Sequence, residues 1–262
     1  MKKGSMPVPG TGAWHQCLAR VLVGIAVVVV STFGLSARAA HAEDFDDGGW
    51  KGKIKAGVNY TDGTATATDA MLHAKGAYSW DKTKLTLEGE VRYGKSKGET
   101  NTDYKKASAR YDWEISRISY LFTNVGLMND RINNIDLRTT VGIGAGHHLI
   151  AEPKQTLDVE YGLEGSRDQI KDEKDTTDLF ARIAGIYHLK LSDSADFSET
   201  LEIFPGLSDL NETRGRSETT LTTKITERVS TELRLVVDYD NEPAVTAENI
   251  ETRVDASIGY LF

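Results

Sequence analysis

The feature of this sequence that most limits its fold is an alternation of apolar and polar residues that recurs along most of its length. In the clearest run, 84–94, one set of alternate positions is apolar and the other is charged: Leu85, Leu87, Val91 and Tyr93 against Lys84, Glu88, Glu90 and Arg92. Successive side chains of a β-strand point to opposite faces. Such a run therefore predicts a strand with one apolar face and one charged face.

Runs of this kind follow one another from Trp50 to Phe262. They cover 50–60, 68–80, 84–94, 104–114, 119–129, 135–146, 156–165, 177–189, 197–204, 215–225, 231–239 and 250–262. About ten residues is the length that a tilted strand needs to cross a bilayer. Connections after the odd-numbered runs are mostly long and charged, and those after the even-numbered runs are mostly short, as in barrels with short periplasmic turns. The sequence predicts an all-β fold, a transmembrane antiparallel up-and-down β-barrel of about 12 strands.

Two of the runs leave the direction of their side chains open. In 119–129, Leu121, Val125 and Leu127 share one face, but large apolar residues also occupy the other face: Tyr120, Phe122 and Met128. In 197–204, Glu199 interrupts an apolar face. A β-bulge or a strand that begins facing the lumen would each explain this interruption. Turns are predicted at 115–118 and 147–155.

The first 42 residues have the composition of an export signal rather than of a strand. Lys2, Lys3 and Arg20 precede or open an apolar stretch at 21–35, and an Ala-His-Ala sequence ends at Ala42. This pattern predicts a signal peptide cleaved after Ala42. The apolar stretch is short for a membrane span of about 20 residues. The predicted domains are a signal peptide at 1–42, a periplasmic lead-in at 43–49 and an outer-membrane β-barrel at 50–262.

Charge and cysteine content exclude several classes of function. The chain has a formal net charge of −8, and removing residues 1–42, with four basic residues and no acid, would leave about −12. Nucleic acid is an unsuitable partner for such an acidic surface. Cys17, in the leader, is the single cysteine, so the mature chain has no disulfide framework or thiolate metal site. We predict no cofactor, no metal and no catalytic residue.

The cost of exposing charge to lipid predicts which face points inward. One Lys or Arg near the lipid midplane costs roughly 2–4 kcal/mol, so the charged faces must line the lumen. The predicted lumen-lining charges are Lys53, Glu88, Glu90, Arg92, Arg110, Arg138, Glu160, Arg182, Arg234, Arg253 and Asp255. Aromatic residues gather at the predicted strand ends, as in interfacial girdles. They are Trp50, Trp80, Trp113 and Tyr187 at the periplasmic end and Tyr60, Tyr93, Tyr104 and Tyr239 at the other.

Two other functions were weighed against a membrane barrel. A soluble periplasmic barrel would turn its apolar face inward and bind an apolar ligand, but a twelve-strand barrel is wider than side chains can fill. An outer-membrane lipid hydrolase would need a nucleophile and a base. His147 and His148 are adjacent, and we expect them on the solvated rim of a turn rather than in one site.

The end of the chain carries a family resemblance. Ser257-Ile-Gly-Tyr-Leu-Phe262 resembles the C-terminal signature of bacterial outer-membrane β-barrels, which implies that Ile258, Tyr260 and Phe262 are an assembly signal for the barrel-assembly machinery. The stretch from Trp50-Lys-Gly to the final Tyr-Leu-Phe resembles the DUF481 or YdiY-like family of salt-induced outer-membrane proteins. This resemblance implies a Gram-negative outer membrane, with its lipid and lipopolysaccharide as surroundings, and no established activity. A narrow channel or a structural role in the stressed envelope is the expected function, and the oligomeric state stays open.

Overall fold

The computed structural model describes residues 49–62, 67–96, 99–172, 174–209, 212–243 and 248–262. Within these residues there are twelve β-strands, one for each predicted run. They are β1 (Trp50–Asp62), β2 (Ala67–Trp80), β3 (Thr83–Ser96), β4 (Glu99–Ser116), β5 (Ser119–Asp130), β6 (Ile135–Glu152), β7 (Gln155–Ile170), β8 (Thr176–Lys190), β9 (Ala195–Pro205), β10 (Thr213–Lys224), β11 (Val229–Asp240) and β12 (Ile250–Leu261). The predicted leader and its cleavage site lie outside the described residues.

The strands form one closed antiparallel barrel in which each strand pairs with its neighbours in the chain. β1 pairs with β12 to close it, with Ala56 opposite Ile258. Backbone hydrogen bonds between Gly52 and Phe262, at 2.8 and 3.0 Å, continue this seam past the end of β12. The prediction of an all-β closed antiparallel barrel of 12 strands is confirmed. We call the end of the barrel that holds Trp50 and Leu261 the lower end, and the opposite end the upper end.

Apolar side chains cover the outside of the barrel, and polar side chains fill its inside. Ile54, Val58, Leu72, Ile143 and Ile183 are among the exposed large residues. Lys55, Glu160, Arg182 and Arg234 are buried. This arrangement follows from the alternation, because the two sets of side chains on one strand must lie on opposite faces. No helix in the described part of the chain is long and apolar enough to span a membrane.

The neighbouring strand β6 determines which side chains of β5 point into the barrel. Tyr120 and Phe122 are buried inside, whereas Leu121 and Val125 lie exposed outside. Phe122 is paired with Gly144 and Tyr120 with Gly146, and a Cβ atom at either glycine would collide with the ring opposite. The glycines of β6 therefore provide the space that lets two aromatic rings lie inside the barrel.

Hydrogen bonds to β10 determine which side chains of β9 point outward. The ladder from β9 to β8 and β10 runs without a register shift, so no bulge moves Glu199 inward. Glu199 lies on the outer face with Leu201 and Ile203. It accepts hydrogen bonds from Ser217 Oγ at 2.7 Å and Thr219 Oγ1 at 2.5 Å.

Several strands are longer than the alternation indicated. β6 reaches Glu152, so the prediction of a turn from residue 147 is wrong; only 153 and 154 lie between β6 and β7. β4 likewise continues to Ser116, through the first half of the predicted turn at 115–118. The antiparallel ladder continues through polar residues, since backbone groups rather than side chains make its hydrogen bonds.

Tyr104 was predicted in the upper aromatic girdle, but it lies inside the barrel. The guanidinium carbon of Arg92 stands 3.9 Å from the centre of its ring. At the lower end, ring contacts link Trp50, Tyr78, Trp80 and Tyr111 with centroid distances of 5.6 to 5.9 Å.

Candidate functional site

The inner wall of the barrel is the candidate functional site, because it brings charged residues from distant parts of the chain together. The structure places every charged residue that was predicted to line the lumen on this wall. Their partners, however, are mostly on other strands, up to four strands away around the barrel. Two ion-pair groups cross the lumen in this way, and we name each after its central residue.

The Glu160 bridge joins strands β4, β5, β7, β8 and β9. The Glu160 carboxylate is fully buried, and both of its oxygens are paired. Arg110 Nη2 lies 2.5 Å from Oε1, and Arg182 Nη1 lies 2.6 Å from Oε2. Tyr120 donates a hydrogen bond of 2.5 Å to Oε1, and Arg182 also contacts Glu202 at 2.7 Å. One carboxylate therefore holds two guanidinium groups in the lumen.

The aromatic ring of Phe122 lies against both guanidinium groups of this bridge. The Arg110 guanidinium carbon is 4.3 Å from the centre of the Phe122 ring, and that of Arg182 is 5.2 Å away. Cations over an aromatic face are stabilised by the ring quadrupole. The ring thus orients both arginines as well as filling the space beside Gly144.

The Arg234 bridge spans the lumen from β11 to β3. Arg234 Nη2 lies 2.6 Å from Asp255 Oδ2 and 3.0 Å from Glu90 Oε2. Glu218 Oε1 stands 3.9 Å from Nη1. Because β3 is four strands from β11 around the closed sheet, the bridge cuts across part of the lumen. Side chains of Arg234, Asp255 and Glu90 are all less than a tenth exposed.

Further pairs occupy the rest of the inner wall. Lys53 and Lys55 both contact Glu232 at 2.5 Å, and His73 Nε2 lies 2.8 Å from Glu88. Arg138 is paired with Asp168 through both Nε and Nη2. Arg92 Nε is 3.1 Å from Glu90, and Arg253 Nε is 3.2 Å from Asp255. These pairs place charges of both signs side by side along the inner wall.

The loop between β9 and β10 adds a carboxyl group at the upper rim. Burial raises the pKa of Glu212 above its usual range, while Arg214 Nη2, at 2.6 Å, opposes that rise. This rim group therefore takes up a proton at a higher pH than an ordinary glutamate does.

Sequence reasoning missed the partners of the predicted charges. Lys55, Asp168, Glu202, Glu218 and Glu232 lie on the same inner wall. For Lys55, Asp168 and Glu232, an even spacing from a predicted residue on the same strand was a usable signal for this placement. The strands of Glu202 and Glu218, β9 and β10, hold no residue of the predicted set. The sequence could not predict which acidic residue pairs with which basic residue, because the partners come from different strands.

The two adjacent histidines are on strand β6 rather than in a turn. His148 points inward, with Nδ1 2.8 Å from Asp158 and Nε2 3.3 Å from Glu114. His147 points outward, where Nδ1 lies 2.9 Å from Ser119 Oγ and Nε2 lies 3.2 Å from the Tyr161 hydroxyl. In the described part of the chain, no group of three or more His, Cys, Asp or Glu residues is arranged to hold a metal ion.

Comparison with known proteins agrees with this architecture. The chain is 25% identical over 212 residues to the uncharacterized protein YdiY of Escherichia coli (strain K12), covering 80% of this chain and 82% of the relative. Its fold is similar to that of the NanC porin, with a TM-score of 0.56, 9% identity and coverage of 79% of this chain and 98% of the porin. It is also similar to the COG4313 outer membrane channel from Pseudomonas putida F1, with a TM-score of 0.51, 12% identity and coverage of 86% and 100%.

These structural similarities show a shared barrel fold and leave the activity open. The family model "Protein of unknown function, DUF481" matches residues 54–262, which is most of the chain. The matched residues include most of the apolar outer face, the charged lumen and the closed seam. The chain therefore belongs to the DUF481 family.

Proposed function

We propose that this protein is exported by a cleaved N-terminal signal peptide and resides in the outer membrane as a narrow, non-enzymatic channel for small polar solutes. The observation that carries the proposal is the distribution of charge: paired ions on the inner wall and apolar residues on the outer wall. Water-filled lumens tolerate paired charges, whereas lipid does not. The fold likeness to porins and channels supports the same proposal.

The proposed surroundings follow from the two walls. The apolar outer face contacts lipid and lipopolysaccharide, and its girdles of aromatic rings lie at the two interfaces. Ile258, Tyr260 and Phe262 serve as the signal for the barrel-assembly machinery during insertion. Nucleic acid is no partner of a chain with this acidic balance.

Conductance in a planar bilayer tests the channel. The purified barrel should give small, discrete current steps, because the Glu160 and Arg234 bridges narrow the lumen. Arg234→Ala removes the Arg234 bridge between β11 and β3, and we expect larger current steps from this variant. Arg167→Ala is the matched control, since Arg167 pairs with Asp175 at the exposed outside and should leave the steps unchanged. If the wild type gives no steps at any voltage, the channel is excluded and the structural role in the envelope stands in its place.

A soluble barrel that binds an apolar ligand requires the opposite arrangement of side chains. The inside of this barrel holds ion pairs, and its large apolar side chains are exposed outside. Cell fractionation addresses this difference directly. We expect the protein in the outer-membrane fraction, with a heat-dependent gel shift; recovery from the soluble periplasm without a shift would contradict the proposal.

A second candidate, a lipid hydrolase, is favoured by one contact. Ser119 and His147 lie 2.9 Å apart on the outer wall near the lower end, which is within reach for a nucleophile and its base. The hydrogen-bond partners described for His147 are Ser119 and Tyr161, and neither is the carboxylate that orients the base in a serine triad. We therefore favour a structural role for the hydrogen bonds that link Ser119, His147 and Tyr161 over a catalytic role for Ser119 and His147.

A serine-reactive fluorophosphonate probe distinguishes the two roles of Ser119. We expect no labelling of the refolded barrel beyond that of a Ser119→Ala variant, and no release of fatty acid from phospholipid vesicles. Labelling that the variant abolishes, together with fatty-acid release, would establish the hydrolase instead.

A further inference from the structure

A cavity in the lower half of the lumen has walls of opposite charge. Its volume is about 270 Å³, and it extends between strands on nearly opposite sides of the barrel. Since a water molecule occupies about 30 Å³ of liquid, the cavity has room for a solute of several heavy atoms. It lies inside the lumen that we propose to be a channel, so its walls face a solute that crosses the barrel.

One wall of the cavity is formed by β1 and β2 and is rich in ammonium groups. It contributes Lys53, Lys55 and Lys75 to the lining. Lys53 and Lys55 share a single carboxylate, that of Glu232. The Lys75 side chain is 53% exposed, and its nearest carboxylate, Glu88, is 3.4 Å away. Lys75 is therefore the ammonium group of this wall that a solute can reach most readily.

The facing wall, from β8 to β10, carries the acids Asp196 and Glu218. Around the closed sheet, the strand of Asp196, β9, lies five strands from β2, and that of Glu218, β10, lies four strands away, so both approach the opposite side of a barrel of twelve. The ion contact described for Asp196 is a long one, 4.0 Å to His188, and its side chain is about a quarter exposed. Glu218 is paired with Arg216 at 3.2 Å and remains 30% exposed. Ser198, Thr220 and Thr222 add hydroxyl groups to this side.

The lining as a whole is balanced, with four Lys or Arg and four Asp or Glu residues. A solute with a single charge is attracted to one wall and repelled by the other. A small zwitterion can place its carboxylate toward Lys75 and its ammonium group toward Asp196. It then gains from both walls, and each contact is weak enough to release it.

We propose that this cavity is a binding subsite for small zwitterionic solutes of amino-acid size, which makes the channel favour them over neutral polar solutes of equal size. The inference rests on the proposed channel function. Lys75 and Asp196 are the residues that determine the preference, one on each wall, and the dipolar solute lies across the lumen between them.

Glycine and its neutral isomer glycolamide test this preference, because they have the same atoms and differ in charge distribution. The purified full-length barrel is reconstituted into liposomes, and swelling rates are measured in each solute. We expect glycine to enter about threefold faster than glycolamide, an effect the size of one solvent-exposed ion pair. Lys75→Gln and Asp196→Asn should each bring the ratio close to one.

Two matched variants outside the cavity serve as controls. Lys105→Gln changes an exposed lysine near the upper end, and Asp193→Asn changes an exposed acid in the turn between β8 and β9. Both should keep the wild-type ratio. Equal entry of the two solutes would overturn the zwitterion subsite and leave the channel standing, as would a glycine preference that both cavity variants retain. Entry no faster than in protein-free liposomes would overturn the channel itself, and the subsite with it.

Discussion

At the scale of single residues, the glycines of β6 decide how the inside of the barrel is packed. Gly144 lies opposite Phe122, and an added Cβ would meet both the ring and the backbone carbonyl of Tyr161. A ring can rotate away, but a strand carbonyl in the ladder cannot move without breaking hydrogen bonds. The Phe122 ring in turn lies under Arg110 and Arg182. Because position 144 has no side chain, the Phe122 ring has the space it needs to contact the two arginines of the Glu160 bridge.

Gly144→Ala should consequently destabilise the barrel by about 1–3 kcal/mol, the usual cost of overpacking. Unfolding by urea of the barrel in lipid vesicles measures this cost. Gly185→Ala is the matched control, since nothing lies within 4 Å of a Cβ at that position on β8. Its effect should stay within about 0.5 kcal/mol. Equal costs for the two variants would show that the close approach of Phe122 is not what requires Gly144.

At the scale of strands, the β9–β10 pair carries an acid on the outer wall. Glu199 is 7% exposed, directly opposite Thr219, and its two carboxylate oxygens each accept one hydroxyl hydrogen bond. An unpaired charged acceptor in an apolar setting is costly, so the two hydroxyls compensate for its desolvation. Ser217 and Thr219 thus make this strand pair compatible with an apolar outer surface.

Thr219→Val should remove one of these hydrogen bonds and destabilise the barrel by about 1–3 kcal/mol. In a Glu199→Leu background the same substitution should be nearly neutral, because no acceptor is left without a donor. The same vesicle unfolding measurement gives both values as a double-mutant cycle. Thr223→Val, on the same strand and face, is the control for replacing a hydroxyl by a methyl group. Additive effects of Glu199 and Thr219 would contradict the coupling.

At the scale of the whole molecule, the seam between β1 and β12 completes the barrel. Phe262 follows β12, and its backbone exchanges hydrogen bonds of 2.8 and 3.0 Å with Gly52. Its ring lies over Gly52, in space that a Cβ would fill, and it is still 57% exposed. The backbone of the last residue therefore closes the seam, whereas its ring is accessible from outside.

Phe262→Ala keeps the backbone hydrogen bonds and removes the ring, so it separates stability from assembly. The refolded variant should unfold within about 1 kcal/mol of the wild type, while the amount assembled in the outer membrane of cells should fall several-fold. Leu261→Ala is the neighbouring control, because Leu261 is outside the proposed signal, and its cellular yield should change little. A parallel loss of stability and yield in Phe262→Ala would mean that the ring matters for packing rather than for assembly.

The sequence predicted the strands well because the signal for a strand is local. Alternation along β3 or β11 is visible in ten consecutive residues, and desolvation cost determines which set must avoid lipid. The strands near 119–129 and 197–204 could not be oriented in this way. β5 has apolar residues on both faces, and β9 has an acid on its apolar face. Their directions depend on Gly144 and Gly146 of β6 and on Ser217 and Thr219 of β10.

By itself, then, the sequence determined the strand order, the closed antiparallel barrel and the inward direction of many of its charged residues. Only the tertiary structure decided which charges meet, because ion pairs such as Arg110–Glu160 and Arg234–Glu90 join strands that are distant around the sheet. It also placed Lys75 and Asp196 on facing walls of one cavity. The physical reason is that the direction of a side chain follows from its position in its own strand, whereas its partner depends on how all twelve strands close.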